Sequence, residues 1–361
     1  GKLYGRGSAD DKGPAIAAMY AMRAVKELGI PLKKNVRLIL GTDEECGGSD
    51  IAHYYAVEKE APMTFSPDAD FPVINIEKGS LNGHFVAKWE TEEVSPRILS
   101  ASGGKIVNIV PGKASASVIG IGSSEIMEKA EQVQKQTGVV FTCEESEGTV
   151  IIRAEGEGAH ASKPEEGKNA LTALLELLCM LPLAACSTTA AAEKLHRMFP
   201  YGDHQSEALG INLEDELSGK LTMNFSVLEL NEDGLDGIFD SRIPICGTTE
   251  NVLNVVKERM AEDGITLLNE TQNPPHHVPA DSPFVKTLLA CYEEYTGRKG
   301  ECLAIGGGTY VHHLERGVAF GCSMPGTDNR MHGADEFAVV DELVLSAKIF
   351  AQVICELCCQ E

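Results

Sequence analysis

Four short segments of this chain carry carboxylates or an imidazole where a loop is expected to leave an apolar strand or to enter a helix. They span residues 8–13, 42–45, 66–70 and 331–333. Carboxylate oxygens bind hard divalent cations, and zinc also accepts imidazole nitrogen. A carboxylate that bridges two cations offsets their repulsion, and such a pair can polarise a carbonyl group and supply hydroxide at neutral pH. Together, the four segments predict the ligand chemistry of a zinc-type hydrolase.

Such a hydrolase also needs a carboxylate that binds no metal and takes a proton from the attacking water. Adjacent Glu44 and Glu45 meet this need if they stand at a strand end, where neighbouring side chains diverge. Taken alone, this pair or the pair Asp10-Asp11 is most simply an acidic surface loop. Only the combination of all four segments favours a metal site.

The composition of the chain indicates which kinds of partner and compartment to expect. The net charge of −23 argues against nucleic acid and anionic membranes, because phosphate binding needs clustered Lys and Arg. No stretch approaches the ~20 consecutive apolar residues of a membrane span. The eleven cysteines are scattered, which indicates free thiols in a reducing compartment and favours a cytoplasmic location.

The start of the chain follows a βαβ pattern. Helical periodicity runs from Pro14 to Leu28, and a second helix is expected at 51–58. Apolar runs at 36–40 and 72–76 are typical of buried parallel strands. Ligands of such sheets sit at the carboxyl ends of the strands, which is where the acidic segments fall.

The middle of the chain repeats itself. A strand, a Ser/Thr-capped helix and a second strand occupy 114–141, and the same order recurs at 240–268. We interpret this as a duplicated α+β subdomain, with chance convergence of common local patterns as the alternative.

The βα pattern resumes near the end of the chain. A helix is expected from Ser282 to Tyr295, strands at 302–305 and 318–321, and a long helix at 335–357. The predicted fold is α/β: a split catalytic domain with a mixed, largely parallel sheet flanked by helices, plus an inserted duplicated α+β lid domain. Its predicted parts are residues 1–79 and 276–361 for the catalytic domain and 80–275 for the lid domain.

Five motifs resemble the co-catalytic dizinc metallopeptidases, the family of aminoacylase, acetylornithine deacetylase and glutamate carboxypeptidase. The resemblance runs over the whole chain and is closest to the bacterial, broad-specificity, carnosinase-like dipeptidases. The motifs are Gly-Arg-Gly-Ser-Ala-Asp-Asp-Lys-Gly-Pro at 5–14, Thr-Asp-Glu-Glu at 42–45, Phe-Ser-Pro-Asp-Ala-Asp-Phe-Pro at 65–72, Gly-Gly-Gly-Thr-Tyr at 306–310, and Met-Pro-Gly at 324–326 with Met-His at 331–332.

The resemblance implies a role for each matching residue of the metal site. Asp10 corresponds to the bridging ligand, Glu45 and Asp68 to ligands of one metal each, His332 to the far ligand and Glu44 to the general base. The implied cofactors are two Zn²⁺ ions, and Co²⁺ or Mn²⁺ also suits these ligands.

It also implies substrate-binding positions. They are Asn108, His160, Arg242, Gly306, Gly307 and Gly308. His160 can donate to the developing oxyanion, so it also counts among the catalytic positions. Arg242 or Asn108 can hold a substrate carboxylate, for which the glycine turn offers backbone N–H groups. Without the resemblance, Arg242 could simply pair with an acid.

The other histidine pairs, His276-His277 and His312-His313, are interpreted as loop or surface residues, because neighbouring side chains on an extended segment point apart. Val311-His312 stands where the dipeptidases often have Ala-Arg.

The family also has a His-x-Asp segment before the bridging aspartate, which supplies one more metal ligand. This chain begins at Gly1 without it. We therefore expect a fragment with one incomplete metal site and little or no activity.

These features favour a zinc-dependent dipeptidase that hydrolyses short peptides with a free carboxylate. The alternatives are an N-acyl amino acid deacylase of the same superfamily and a non-catalytic carboxylate-binding protein. A monomer is expected, since the second subdomain copy can replace the partner subunit that dimeric relatives use.

Overall fold

A computed structural model describes residues 1–359. The strands are β1 (Lys2–Tyr4), β2 (Thr64–Ser66), β3 (Ala69–Asp70), β4 (Val73–Glu77), β5 (Gly79–Lys88), β6 (Arg97–Gly103), β7 (Lys113–Ile119), β8 (Val140–Ser146), β9 (Thr149–Glu155), β10 (Glu214–Asp215), β11 (Gly219–Lys220), β12 (Thr222–Asn231), β13 (Gly234–Ile243), β14 (Thr266–Leu267), β15 (His276–His277), β16 (Cys302–Ile305), β17 (Gly317–Ala319), β18 (Cys322–Ser323) and β19 (Phe337–Val339).

The α-helices are α1 (Lys12–Glu27), α2 (Ser49–Val57), α3 (Ser123–Thr137), α4 (Ala170–Cys179), α5 (Ser187–Met198), α6 (Asn254–Glu262), α7 (Pro283–Thr296) and α8 (Val340–Cys358). Shorter helical turns are the 3₁₀ helices Glu44–Cys46, Pro164–Glu166 and Tyr310–His313, and the π-helical turn Thr249–Leu253. In the part of the chain that the structure describes, every helix is too short or too polar to serve as a membrane span.

The chain divides into two compact units. Unit 1 comprises Gly1–Glu77 and His276–Glu361, and unit 2 comprises Lys78–Pro275. Unit 1 is therefore assembled from both ends of the sequence, with unit 2 inserted between them. This confirms the predicted α/β fold class with an inserted segment.

The sheet of unit 1 is mixed. At its centre, β4 pairs in parallel with β16 and antiparallel with β15, and it meets β17 at a single antiparallel residue pair; β17 in turn pairs in parallel with β2. All five residues of β4 are buried. The register pairs Ile305 at the end of β16 with Glu77 at the end of β4, so the glycine turn after β16 starts beside a buried carboxylate.

Helix α1 places the first acidic motif. Its buried residues Pro14, Ala17, Ala21 and Val25 recur every three or four positions and form one apolar stripe. This stripe shares an apolar core with residues of α8. The helix begins directly after Asp11, so burial of the stripe fixes the Asp10-Asp11 pair at the helix N-terminus.

Unit 2 contains an eight-stranded sheet in the order β14-β5-β13-β12-β6-β7-β9-β8. The strands before and after α3 both pair with β9, and the strands before and after α6 both pair with β5. The predicted strand–helix–strand repeat is thus present in both places. Only the second copy has the expected side-chain cap, formed by Thr248; in the first, Gly122 precedes the helix without one.

Two predicted elements are wrong in detail. The segment 36–40 is not a strand, and Leu40 is 68% exposed, because no described strand pairs with it. The last helix begins at Val340 and not at 335, since Phe337–Val339 forms strand β19 and pairs with β1. In both cases the pairing with distant strands, absent for 36–40 and present for 337–339, decides the structure and not the local pattern.

Candidate active site

Asp10, Glu45 and His332 converge in unit 1. Nε2 of His332 lies 2.6 Å from Oδ2 of Asp10 and 3.1 Å from Oε1 of Glu45. One ligand atom from each residue lies within 4.8 Å of the others, close enough for all three to bind a single ion. Burial alone would lower the pKa of His332, but the charges of Glu45 and Asp10 and the hydrogen bonds to them raise it. Three of the four predicted metal ligands are thus brought together.

A buried carboxylate that the sequence reasoning missed holds the loop before Asp10. Oε1 of Glu336 accepts hydrogen bonds from the N–H groups of Gly7 (3.0 Å), Ala9 (3.0 Å) and Asp10 (3.2 Å), and Oε2 accepts one from Arg6. Burial alone would raise the pKa of Glu336, but these N–H groups and the guanidinium hold it below its usual range. Glu336 therefore ties the segments of Asp10 and His332 together.

The loop that carries His332 has an unusual backbone. His332 has φ 58°, and two nearby residues, Arg330 and Asp335, also have positive φ. Side-chain-bearing residues rarely adopt this left-handed conformation, which costs on the order of 1 kcal/mol each. The conformation presents the imidazole to Asp10 and Glu45. Glu336 comes directly after Asp335, the last of these three residues.

Asp68, the fourth predicted ligand, is near the other carboxylates but not in the three-residue set. Burial, followed by the charges of Asp11 and Asp10, raises the pKa of Asp68 to about 8. Burial and the charges of Asp10 and Glu44 raise the pKa of Asp11 to about 7. Oδ1 of Asp11 is buried and accepts no hydrogen bond within the described residues. So many crowded carboxylates, partly withdrawn from water, fit a divalent cation that would neutralise them.

Glu44 lies on the 3₁₀ helix Glu44–Cys46. The predicted position at a strand end is therefore wrong. Burial, followed by the charges of Glu45, Asp10 and Glu77, raises the pKa of Glu44 to about 7, against a lowering effect of His332. The carboxyl group of Glu44 is therefore close to the cluster without belonging to the three-ligand set.

Two aspartates, Asp43 and Asp50, hold the segment around Glu44 through hydrogen bonds. Oδ2 of Asp43 accepts from the N–H (2.8 Å) and hydroxyl (2.6 Å) of Ser49, and Oδ2 of Asp50 accepts from the N–H groups of Thr42 (2.6 Å) and Asp43 (3.1 Å). These bonds fold residues 42–50 into a compact turn. Asp50 was not recognised from the sequence, although an acidic residue in the first turn of α2 is a usual signal.

The glycine turn 306–308 leads into Thr309, which is bound to Glu77. Oε2 of Glu77 accepts from the N–H of Thr309 (3.1 Å), and Oε1 accepts from its hydroxyl (2.8 Å). Nδ1 of His312 lies 3.0 Å from Oε2 of Glu77.

The surface interpretation of His276 and His312 is wrong. His276 is buried and its Nε2 bonds to the carbonyl of Gly317 (2.6 Å), while only 11% of the His312 side chain is exposed. Partners far away in sequence hold both rings, which the two His-His pairs could not reveal.

The three predicted positions of unit 2 occupy neighbouring loops and a strand. The N–H of Ala161 donates to the carbonyl of Asn108, so Asn108 and His160 lie on adjacent exposed loops. Nδ1 of His160 accepts the N–H of Ser162 (3.1 Å), which leaves the proton of the neutral ring on Nε2. A donor at Nε2 is what stabilisation of an oxyanion requires.

Arg242 makes a two-pronged ion pair on its own strand. Its Nε and Nη2 lie 2.7 Å from Oδ1 and Oδ2 of Asp240, which is buried. Arg242 is also in register with Thr222 of β12, whose hydroxyl is 3.5 Å from the carbonyl of Ser162. The structure therefore places Arg242 at the same end of unit 2 as His160, and shows that Arg242 already has an acidic partner.

Comparison with known proteins gives one consistent result. The family model described as peptidase family M20/M25/M40 matches residues 1–356. YtjP of Bacillus subtilis (strain 168) is 36% identical over 99% of this chain and 77% of its own length. The beta-Ala-Xaa dipeptidase of Lactobacillus delbrueckii subsp. lactis is 34% identical over 99% of this chain and 76% of its own.

The fold has a counterpart among solved structures. Human carnosine dipeptidase 1 aligns with a TM-score of 0.51 at 12% identity, over 99% of this chain and 73% of that one. At this identity the likeness concerns the fold alone. Taken with the family match over nearly the whole sequence, these findings show that the chain belongs to peptidase family M20/M25/M40 and is a hydrolase acting on peptide bonds.

Proposed function

We propose that this protein is a metal-dependent dipeptidase that hydrolyses the amide bond of short peptides with a free carboxylate. The observation that carries the proposal is the convergence of Asp10, Glu45 and His332, with Glu44 beside them. The name of the Lactobacillus relative, a beta-Ala-Xaa dipeptidase, supports a dipeptide as substrate.

The donor set fits one divalent cation with three ligands and a second cation in part. Asp10, Glu45 and His332 would hold one, and Asp10 and Asp68 would contribute to the other, with Asp10 shared. Zinc is the metal we propose, and Co²⁺ or Mn²⁺ suits the same oxygen and nitrogen donors. When bound, such ions polarise a carbonyl group and lower the pKa of water.

The residues of the chain then have separable tasks. Glu44 takes a proton from the attacking water and passes it to the leaving amine. In unit 2, His160 donates from Nε2 to the oxyanion, and Arg242 or Asn108 holds the substrate carboxylate. In unit 1, the glycine turn 306–308 offers backbone N–H groups to a carboxylate. The roles of these unit 2 residues rest on the family resemblance.

The experiment is an assay of the purified, zinc-supplemented protein on a panel of dipeptides and on N-acetyl amino acids, with release of free amino acid as the readout. We expect slow dipeptide cleavage, because Asp10 and Asp68 are the only ligands we assign to the second cation. Glu44→Gln should lower kcat by a further ~10²- to 10⁴-fold with unchanged zinc affinity. The exposed Glu315→Gln is the matched control. Turnover of N-acetyl amino acids alone would indicate a deacylase, and carboxylate binding without turnover would indicate a non-catalytic protein.

We further propose that the enzyme is a monomer. The two strand–helix–strand copies of unit 2 lie in one continuous sheet, which lets the second copy take the place of a partner subunit. Light scattering is expected to give a mass near 38.7 kDa. A stable dimer that buries unit 2 would contradict this.

We also propose a cytoplasmic location. All eleven cysteines are free thiols in the structure, as a reducing compartment allows. Cell fractionation with an antibody against the protein tests this, and recovery outside the cytoplasmic fraction would contradict it.

A further inference from the structure

The 3₁₀ helix Tyr310–His313 is bound to carboxylates on two other segments of unit 1. At its start, Thr309 donates twice to the buried Glu77. One residue later, the hydroxyl of Tyr310 lies 2.8 Å from Oδ2 of Asp50. The same short helix therefore joins the end of β4 to the start of α2.

The contact of Tyr310 reaches the backbone next to Glu44. Its hydroxyl donates to Asp50 and accepts the N–H of Asp43 at 3.1 Å. Oδ2 of Asp50 accepts the N–H groups of Thr42 and Asp43 as well. The N–H group of Asp43, directly before Glu44, thus donates to both Tyr310 and Asp50. A displacement of Tyr310 therefore acts directly on the segment that carries Glu44 and Glu45.

The close approach of Tyr310 depends on a glycine. A Cβ atom added at Gly41 would lie 2.1 Å from the Tyr310 hydroxyl and 2.7 Å from Oδ2 of Asp50. Any larger residue at position 41 must push the ring or the carboxylate away. The fit between the ring and this backbone is therefore specific.

We propose that Tyr310 is a positioning residue: held by Thr309 and Glu77 on one side, it fixes the Glu44-Glu45 segment through Asp43 and Asp50 on the other. This couples the glycine turn, where we place the substrate carboxylate, to the metal ligand Glu45. The inference rests on the proposed function in taking Glu45 as a metal ligand and the glycine turn as a carboxylate-binding position.

The test uses Co²⁺ as the probe, because its visible absorption reports the ligands around the ion. Tyr310→Phe removes only the hydroxyl. We expect Co²⁺ affinity to fall by ~10- to 100-fold, as is usual when a group that orients a ligand is lost. The absorption spectrum of the bound ion should change as well. Tyr295→Phe is the matched control, since its hydroxyl makes one 3.4 Å contact with Gln352 on the surface of the same unit.

A second variant keeps the test decisive if Tyr310→Phe folds poorly. Gly41→Ala keeps the hydroxyl group of Tyr310 but displaces it from the N–H of Asp43. It should therefore lower the Co²⁺ affinity by the same factor. Gly122→Ala is its control, because nothing lies within 4 Å of a Cβ there. Metal-free thermal unfolding of each variant verifies folding.

The outcomes separate the two proposals. If wild-type protein binds no Co²⁺ at Asp10, Glu45 and His332, the proposed function fails. If wild-type protein binds Co²⁺ and a folded Tyr310→Phe or Gly41→Ala variant binds it with the same affinity and spectrum, the role of Tyr310 is refuted.

Discussion

Nε2 of His332 lies 2.6 Å from Oδ2 of Asp10, although the two residues are 322 positions apart in the chain. Their segments are joined by the pairing of β1 with β19, in which Tyr4 faces Phe337. Glu336 adds three hydrogen bonds from a buried carboxylate to the backbone around Asp10. The cluster of Asp10, Glu45 and His332 therefore depends on contacts between the two sequence parts of unit 1.

Replacing His332 by Ala should weaken zinc binding by at least ~100-fold, more than the usual loss for a residue that only orients a ligand. The three-residue set would be left with two carboxylates and no nitrogen donor. Competition with a zinc-binding dye measures the affinity. His53→Ala, an exposed histidine on α2, serves as the control, and equal affinities for both variants would remove His332 from the site.

Replacing Glu336 by Ala should destabilise the metal-free protein by about 2–4 kcal/mol, because it strands the buried N–H groups of Gly7, Ala9 and Asp10. Each kcal/mol corresponds to ~2–4 °C in Tm for a unit of this size. Thermal unfolding in a chelator measures the shift.

Glu336→Gln is the informative comparison. It keeps an amide oxygen for these N–H groups and loses only the charge facing Arg6, so we expect less than half the loss. The same Tm for Glu336→Ala and wild type would contradict the anchoring role.

The sequence predicted the clustered residues better than the groups that position them. Asp10, Glu45 and His332 stand in short motifs whose residue types already indicate metal chemistry. Glu336 and Glu77 stand in no such pattern, since their function arises from N–H groups far along the chain. The predicted strand at 36–40 failed for the same reason: a strand needs partners, and an apolar run does not show whether they exist.

The metal-free protein should lose stability as the pH rises from about 4 to about 8. Asp11 and Glu44 have a pKa of about 7 in the folded state and Asp68 one of about 8, all above their values in an unfolded chain. Between these limits the folded protein holds more protons than the unfolded one, so stability is greatest at the acidic end and falls as the folded groups ionise.

Tm measured against pH in a chelator checks this expectation. Asp68→Asn removes the group with the highest pKa and should flatten the upper part of the curve. Added Zn²⁺ should raise Tm most at pH 8, because the ion neutralises the ionised carboxylates. A Tm that rises between pH 5 and pH 8 in the metal-free protein would contradict the crowding of charge at this site.

Arg242 offers a test that separates substrate binding from structure. Asp240 is only 1% exposed, and its two carboxylate oxygens face Arg242. Arg242→Ala would strand that charge and cost about 3 kcal/mol or more, whatever the role of Arg242 in binding. The alanine variant is therefore uninformative about substrate, and Arg242→Lys is the better change.

Arg242→Lys keeps the positive charge beside Asp240 but loses the planar fork that binds a carboxylate through two parallel hydrogen bonds. If Arg242 holds the substrate carboxylate, KM for a dipeptide should rise ~10-fold or more while kcat changes little, because uniform binding is lost. Arg259→Lys, an exposed arginine of α6, is the control. An unchanged KM in a variant with the wild-type Tm would show that Arg242 does not hold the substrate carboxylate.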